Sequence, residues 1–305
     1  MAMDTELGGY QLLDRIATGG MAEVYRAEAS PSTQKSADEP DQIVLKRLLA
    51  NFRAEKAFID LFVEEGKLCV RLRHPNVVRT YKVFKKAIDY FMVQELVDGR
   101  SLAQVAEAAR GRGQGVSVSA AVWAVHELVR GLEYIHKVRY GAGPEPIVHC
   151  DINPANVLVA KTGEVKLTDF GVALADGTPA HGEGGSLRGT ITYMSPEQVL
   201  GKPVDKRADL FSAGVILWEL LANQSLIDSS SEYEAMQRAR ECRVPLLSTL
   251  REDLPELLVQ IVRKACYADP ALRFQDAAEF ANALEVLARR AGLQLEPAAI
   301  APEAA

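Results

Sequence analysis

Cysteine is scarce in this chain of 305 residues, and no two of its cysteines stand close together. The four are Cys69, Cys150, Cys242 and Cys266. Without a CxxC pair, the sequence argues against a disulfide framework or a zinc site, and it is typical of a reducing cytoplasm. Long apolar runs are missing too, since the most apolar stretch, Gly214–Ala222, has about nine residues and a membrane helix needs about 20. We therefore expect no membrane span in this chain.

An excess of positive charge is also absent. The chain has 35 Lys and Arg against 41 Asp and Glu, a formal net charge of −6, so it is a poor candidate for neutralising the phosphates of nucleic acid. Hydrophobic residues make up 48% and charged residues 25%, which excludes a wholly disordered or collagen-like chain. At about 150 residues per domain, the length predicts two units or one large two-lobed unit.

The hydrophobic pattern changes after Gly99. Before that point we expect strands at Tyr10–Ile16, Ala22–Ala27, Ile43–Leu49, Val77–Phe84 and Tyr90–Leu96, with one helix at Glu55–Arg71. After it we expect helices at Ser119–Tyr140, Asp205–Asn223, Ser231–Glu241, Leu254–Ala268 and Asp276–Ala291. The polar segment 28–42 is predicted to be a solvated loop and the Ala/Pro-rich tail 291–305 to be disordered. The outline is an α+β protein with a small sheet lobe, a hinge at 95–99 and a larger helical lobe.

Three features of the first lobe suit phosphate binding. The segment Ala17–Val24 places a glycine pair between two strands, where backbone N–H groups can approach phosphate oxygens, although an ordinary hairpin has the same pattern. Lys46 closes an apolar strand, which suits either a phosphate contact or a solvated strand end. Glu65, on the predicted helix, can either hold Lys46 in place or form an exposed ion pair of little energetic value.

Polar residues of the second lobe have a spacing that suits group transfer. Asp151 and Asn156 lie in a loop before the apolar segment Val157–Ala160, and Asp169 follows in the sequence Asp169-Phe170-Gly171. A carboxylate can orient a hydroxyl and accept its proton, while amide and carboxylate oxygens bind divalent metals. Each residue by itself is also compatible with turn chemistry, since Asp and Asn are common in loops.

The order of these features resembles the eukaryotic-like (Hanks-type) Ser/Thr protein kinases of bacteria. A glycine turn, a strand lysine, a helical glutamate, Asp-x4-Asn and Asp-Phe-Gly follow one another within residues 8–290. Further matching blocks are Leu72–Val78, Gly189–Glu197, Asp209–Gly214 and Asp269–Arg273. The resemblance implies a two-lobed protein-kinase-like fold. Its N-lobe of about 8–95 is a small antiparallel sheet plus one helix, and a mainly helical C-lobe of about 100–290 follows the hinge at 95–99.

The resemblance also implies a role for each matching residue. Lys46, held by Glu65, contacts the α- and β-phosphates of ATP, and Asp151 accepts the proton of the substrate hydroxyl or aligns that hydroxyl. Asn156 and Asp169 hold Mg²⁺ or Mn²⁺, so all of these residues are expected to converge at one site. The other nucleotide-binding positions are Ala17, Thr18, Gly19, Gly20 and Val24 in the glycine turn, and Gln94, Glu95, Val97 and Asp98 in the hinge.

Two further implied roles concern the stability of the fold. Glu197 is expected to form a structural ion pair with Arg273. Asp209 is expected to cap the backbone of the loop that carries Asp151. The pair of Glu197 and Arg273 is expected to have a structural role and no catalytic one.

Two departures from the family pattern lie in loops that contact phosphate. The glycine motif has Ala17 and Ala22 in place of two glycines, so Gly19 alone is kept, and we expect a stiffer loop. Cys150 replaces the arginine that usually pairs with a phosphorylated activation loop. We therefore expect any activity to depend little on phosphorylation within 175–189.

A third departure affects the reaction itself. Asn153 occupies a catalytic position where the family has a lysine that neutralises the transferring phosphoryl group. The absence of that lysine is expected to lower the rate of phosphoryl transfer about 10²–10³-fold, by analogy with the removal of one oxyanion donor. Lys161 and Arg188 are nearby in sequence, but no pattern shows that either one replaces the lysine.

The sequence favours a Mg-ATP-dependent Ser/Thr protein kinase that acts on a protein substrate in the cytoplasm. The alternative is a pseudokinase that binds nucleotide or a regulatory protein partner, and Cys150 and Asn153 motivate it. Phosphotransferases of small molecules also manage without the lysine. The segment Gly189–Glu197 argues against that last class, since it resembles the platform for peptide substrates in protein kinases.

Overall fold

The computed structural model of the chain describes residues 6–31, 33–36, 38–140, 146–170, 191–227 and 231–304. These residues form two compact units, of which the first ends at Val97 and the second begins at Asp98. The division falls within 95–99, where the sequence pattern predicts the hinge.

Strands dominate the first unit. Those described are β1 (Glu6–Leu7), β2 (Tyr10–Thr18), β3 (Ala22–Ala29), β4 (Gln42–Leu48), β5 (Thr80–Lys86) and β6 (Asp89–Glu95). They form an antiparallel sheet in the order β1-β2-β3-β4-β6-β5. Alternation along β4 buries Ile43 and Leu45 in a core that also contains Tyr10, Phe91 and Val93. The expected sheet lobe is confirmed.

One long helix, α1 (Lys56–Arg71), packs on this sheet. Its buried face contains Phe62, Leu68 and Cys69 at helical spacing, which confirms the predicted helix. The strand predicted to start at Val77 starts at Thr80. The intervening residues continue the turn that leaves α1, in which Val77 N–H donates to the His74 carbonyl at 3.1 Å.

The segment between β3 and β4 differs from the expected solvated loop. Glu39 has a fully buried side chain that accepts a hydrogen bond from the Tyr10 hydroxyl at 2.6 Å and lies 3.2 Å from Lys82 Nζ. Asp38 accepts a hydrogen bond from the Arg79 guanidinium at 2.9 Å. The expectation was wrong for Glu39, because a polar composition does not reveal which of its charges meet a partner on the sheet.

Helices dominate the second unit. Those described are α2 (Leu102–Gly111), α3 (Val118–Ile135), α4 (Pro196–Val199), α5 (Arg207–Ala222), α6 (Glu232–Glu241), α7 (Glu256–Ala265), α8 (Ala277–Ala291) and α9 (Ala301–Ala304). A small antiparallel sheet joins them, in the order β7 (Gly99–Ser101), β8 (Val157–Ala160) and β9 (Val165–Leu167). Helix α2 was not predicted, although Ser101 and Gln104 form a capping box at its start.

Helix α5 forms the centre of the second unit. All of its residues from Ala208 to Leu221 are buried, and α3 and α7 pack against it. Because apolar residues face every side of this helix, it must be covered on every side. None of the helices in the described part of the chain is long and apolar enough to cross a membrane.

A buried ion pair ties α4 to the segment before α8. Arg273 Nη1 lies 2.7 Å from Glu197 Oε1, and Nη2 lies 2.8 Å from Oε2. The same guanidinium donates to the carbonyls of Tyr267, Arg207 and Ala268. The expected pair is confirmed, and all of its donors point at partners, as a buried charge requires.

The tail, which the sequence led us to expect as disordered, is packed on the second unit through Ala304. After α8 the chain makes a 3-10 turn at Pro297–Ala299 and ends in α9, which contacts α2 and β8. Ile300 and Ala304 are buried, and Glu303 forms an ion pair with Arg112. Two buried apolar residues among alanines and prolines form no periodic pattern, so the sequence could not predict that the tail packs here.

The turn between β8 and β9 leaves no room for a side chain at Gly163. Its φ is +89°, and a Cβ built there would lie 2.0 Å from the Pro297 carbonyl oxygen. We expect Gly163→Ala to lower the free energy of unfolding by about 2–4 kcal/mol, because it strains the backbone and displaces the tail. Urea denaturation measures this change.

The matched control is Gly113→Ala, at a glycine with a φ of +69° and no atom within 4 Å of the added Cβ. This substitution strains the backbone but meets no neighbouring atom, so we expect it to lower the free energy of unfolding by only about 1–2 kcal/mol. Equal losses for the two variants would contradict a packed contact between the turn and the tail.

Candidate active site

Lys46 is paired with Glu65 inside the first unit. Lys46 Nζ lies 3.1 Å from Glu65 Oε1, and the two side chains are only 13% and 7% exposed. The lysine comes from β4 and the glutamate from the buried face of α1, so the packing of that helix on the sheet orients the pair. The expected pairing is confirmed, while the solvated strand end and the exposed pair are both excluded.

The glycine turn connects β2 to β3. Gly19 N–H donates to the Ala22 carbonyl at 2.8 Å and closes the turn. Residues 17–20 are exposed, which leaves this stretch accessible to a ligand. Val24 lies opposite Lys46 in the β3–β4 ladder, so the structure brings these two predicted nucleotide contacts side by side. Phosphate binding by the turn stays a prediction.

The predicted hinge residues differ in burial. Gln94 is buried and its Nε2 donates to Thr80 Oγ1 at 3.2 Å. Glu95 N–H donates to the Arg79 carbonyl at 2.8 Å, which anchors the end of β6. Val97, the last residue of the first unit, is half-buried. Adenine binding by this segment stays a prediction.

Asp98 pairs with Lys161, one of the two basic residues that lie near the position of the missing lysine in the sequence. Lys161 Nζ lies 2.8 Å from Asp98 Oδ1, and Lys161 N–H donates to the Asp98 carbonyl at 2.9 Å. The charge of Lys161 is therefore used at this pair. The other cation, Arg188, lies outside the described residues, as does the segment 175–189 with its predicted phosphorylation independence.

Asp209 shapes the loop that leads to Asp151. Its buried carboxylate accepts hydrogen bonds from the backbone N–H groups of His149 and Cys150, both at 2.9 Å. Cys150 has a φ of +64°, a conformation that costs free energy in a residue with a Cβ and needs such support. The expected capping role of Asp209 is confirmed.

Two amides hold the Asp151 carboxylate. Asn153 Nδ2 donates to Oδ1 at 3.0 Å, and Asn156 Nδ2 donates to Oδ2 at 2.9 Å. The Asn153 side chain is fixed in turn, because its Oδ1 accepts the Ala155 N–H at 2.9 Å. The structure therefore brings Asp151, Asn153 and Asn156 together, and each carboxylate oxygen accepts one amide hydrogen bond.

Burial raises the pKa of the Asp151 carboxyl above its ordinary value. An electrostatic effect of the neighbouring His149 and the two amide hydrogen bonds oppose this shift, and the negative charge of Asp169 adds to it. Asp151 and Asp169 are therefore close enough to interact electrostatically. A desolvated carboxylate with a raised pKa is suited to accepting a proton.

Asn156 and Asp169 offer oxygen atoms of the kind that Mg²⁺ prefers. The Asn156 amide nitrogen is committed to Asp151, so its carbonyl oxygen is the atom left for a cation. The Thr168 N–H donates to the Asn156 backbone carbonyl at 3.0 Å, which joins the two loops. Asp169 has a φ of +59°, a strained conformation of the kind found at functional sites. The donor set fits a divalent cation.

One contact to this loop was missed by the sequence analysis. Gln198 Nε2 donates to the Cys150 carbonyl at 2.9 Å, while its Oε1 accepts the Ser195 N–H at 3.0 Å. The pattern Ser-x-x-Gln is a signal for the start of a helix. It carries no information that the glutamine also reaches the loop before Asp151.

Comparison with known families gives one match that spans most of the chain. A family model described as "Protein kinase domain" matches residues 10–284. That range contains all of the predicted site residues, from the glycine turn to Asp169. It also contains the pair Glu197–Arg273.

Several curated proteins are similar over most of the chain. Tyrosine-protein kinase MasK of Myxococcus xanthus is 32% identical over 91% of this chain and 43% of its own length. Serine/threonine-protein kinase PrkC of Bacillus subtilis is 28% identical over 88% of this chain and 39% of its own. PknA of Mycobacterium tuberculosis, also a serine/threonine-protein kinase by name, is 30% identical over 93% and 62%. The chain thus spans about two fifths of the first two relatives.

Solved structures share the fold. The crystal structure of the Mycobacterium tuberculosis PknI kinase domain superposes with a TM-score of 0.68 at 25% sequence identity. The match covers 94% of this chain and 99% of that domain. The chain therefore shares the fold of that domain over nearly its whole length.

Proposed function

The chain belongs to the protein kinase domain family, and from that premise we propose that it transfers the γ-phosphoryl group of Mg-ATP to serine or threonine hydroxyls of a protein substrate. The observation that carries this proposal is the Asp151 carboxylate, held by the amides of Asn153 and Asn156. A carboxylate fixed in this way can accept a hydroxyl proton in one defined direction.

Asp151 is the group assigned to the substrate hydroxyl. Its two amide hydrogen bonds leave the remaining lone pairs of the carboxylate for a third donor, and a serine or threonine hydroxyl is such a donor. Because burial raises its pKa, ionised Asp151 is a better proton acceptor than an exposed aspartate. Asp209 supports this role by holding the backbone of His149 and Cys150.

Mg²⁺ or Mn²⁺ is assigned to the oxygens of Asn156 and Asp169, where the bound cation would neutralise phosphate charge. Lys46, oriented by Glu65, is assigned to the α- and β-phosphates. The exposed turn at 17–20 is assigned to the phosphates, and Gln94, Glu95, Val97 and Asp98 to the adenosine. All of these residues are proposed to act on one nucleotide.

A pseudokinase is the second candidate, and the hydrogen bonding of Asn153 favours it. Where the family has a lysine, this side chain uses its amide nitrogen on Asp151 and its oxygen on the Ala155 N–H. It brings no positive charge to the transferring phosphoryl group. Such a protein would bind ATP or a regulatory partner without efficient transfer.

A transfer assay separates the two candidates. Purified protein is incubated with γ-labelled ATP, Mg²⁺ and a generic protein substrate, beside Asp169→Asn and the control Asp205→Asn, whose parent carboxylate pairs with Arg207 at the surface. We expect transfer by the parent and the control, and a loss of about a hundredfold or more in Asp169→Asn, because a metal ligand loses its charge. Chelation of the metal should also stop transfer.

Thermal stabilisation by ATP gives the second measurement. Stabilisation of the parent without any transfer would support the pseudokinase. Neither stabilisation nor transfer would contradict both candidates. The specificity for serine or threonine and the cytoplasmic location are part of the same proposal, and phosphoamino-acid analysis of the labelled substrate tests the first of them.

A further inference from the structure

A cavity of about 420 Å³ lies beside Asp151 within the second unit. Its walls come from the loop at 151–156 and from helices α2 and α5. The described lining residues with the most bearing on its chemistry are Arg110, Asp151, Asn153, Ala155, Tyr193 and Glu219. The cavity therefore opens next to the carboxylate to which the proposed function assigns the substrate hydroxyl.

Glu219 is the second carboxylate of this cavity, and its oxygens are already used. Oε2 accepts the Tyr193 hydroxyl at 2.5 Å, while Oε1 accepts the Leu226 N–H at 2.8 Å and the Ser225 hydroxyl at 3.2 Å. Burial raises the pKa of the Tyr193 phenol, and the charge and hydrogen bond of Glu219 raise it further. Glu219 is thus a structural acceptor that holds the chain after α5.

Arg110 carries the uncommitted charge of the cavity. It is exposed in the last turn of α2, and its guanidinium has no hydrogen bond or ion pair with any residue that the structure describes. Its neighbour Arg112, by contrast, is paired with Glu303. Arg110 still lies near enough to Tyr193 for its positive charge to oppose the rise in the pKa of that phenol.

We propose that this cavity binds a carboxylate side chain of the protein substrate, with the guanidinium of Arg110 as its partner. The planar fork of an arginine matches the two oxygens of a carboxylate. Asn153 and Ala155, which also line the cavity, bring no charge that would compete. The inference rests on the proposed function, because it makes Arg110 a specificity-determining residue for the same phosphoryl transfer.

A basic side chain is the competing occupant, since Asp151 and Glu219 both bear negative charge. Glu219 already accepts three hydrogen bonds, and the lone pairs that Asp151 has left beside its two amide donors are assigned to the substrate hydroxyl. A lysine or arginine of the substrate would also meet the unpaired charge of Arg110. We therefore expect acidic peptides to bind in preference to basic ones.

Peptide binding tests the inference without requiring transfer. The probes are fluorescein-labelled peptides in which the acceptor serine is replaced by alanine and the flanking positions on both sides carry Glu, Lys or Ala. Fluorescence anisotropy should show the Glu peptides binding the parent about tenfold more tightly than the Lys peptides. Arg110→Ala should remove this preference, and Arg110→Glu should reverse it.

The matched control is Arg290→Ala, which removes another exposed arginine from the last turn of a helix in the same unit. It should leave the tenfold preference unchanged. Equal binding of Glu and Lys peptides to the parent, tighter binding of the Lys peptides, or an undiminished preference in Arg110→Ala would each overturn the inference.

Kinetics with serine-containing peptides separate the inference from the proposed function. Arg110→Ala should raise KM for Glu peptides about tenfold with little change in kcat, as expected for a binding contact. Charge-selective binding without phosphorylation of any peptide would leave Arg110 as a binding residue and contradict the proposed function. Phosphorylation at the same rate whatever the flanking charges would support the proposed function and contradict the role of Arg110.

Discussion

Replacing Asp151 with alanine will lower phosphoryl transfer about a thousandfold, because the variant has no group to accept or orient the hydroxyl proton. The structure fixes the orientation of the Asp151 side chain, because each carboxylate oxygen accepts a hydrogen bond from the amide of Asn153 or Asn156. Initial rates with γ-labelled ATP measure the effect.

The pH dependence of the parent enzyme gives an independent check on the same residue. Asp151 must be ionised to accept a proton, and burial raises its pKa. The rate should therefore fall as the pH drops through that raised value, which lies above the ordinary value of about 3.9 for an aspartate. In Asp151→Ala the residual rate should lack this acidic limb.

The control for Asp151→Ala is Asp205→Ala, which removes a carboxylate that pairs with Arg207 at the surface of the same unit. It should keep nearly the full rate. Stabilisation by ATP should persist in both variants, since neither residue is assigned to the nucleotide. An Asp151→Ala variant with more than a tenth of the parental rate would show that Asp151 is not the proton acceptor.

Arg273→Ala should lower the free energy of unfolding by about 3–5 kcal/mol, the cost of breaking one side of a buried ion pair. The side chain of Arg273 is fully buried, and its loss leaves the Glu197 carboxylate and three backbone carbonyls without their donor. This is a large share of the roughly 5–15 kcal/mol that stabilises a typical domain. Urea denaturation followed by circular dichroism measures the loss.

Arg130→Ala is the matched control for Arg273→Ala. It removes an arginine whose ion pair with Glu133 lies at the surface, and exposed pairs contribute only about 0–1 kcal/mol. Similar losses in the two variants would show that Arg273 has no special structural role. The folded fraction of Arg273→Ala should still bind ATP, because the pair lies outside the proposed nucleotide-binding set.

Much of the architecture could be predicted from the sequence, because it depends on local patterns. The apolar run in β4, the helical spacing of Phe58, Phe62 and Leu68 in α1, and the apolar stretch Gly214–Ala222 within α5 each indicated the correct element. The order of the motifs identified the family. The pairs Lys46–Glu65 and Glu197–Arg273 followed from that resemblance, and hydrogen-bond geometry confirms both.

The sequence by itself determined which residues carry charge, which segments are apolar, and that Asn153 and Cys150 replace a lysine and an arginine. Only the tertiary structure decided where those charges are used. Glu39 is buried against Tyr10, the tail is packed beside Gly163, and Lys161 is paired with Asp98, while Arg110 lines the cavity beside Asp151. The reason is physical: an element depends on neighbours within a few residues, whereas the partner of a charge can come from anywhere in the chain.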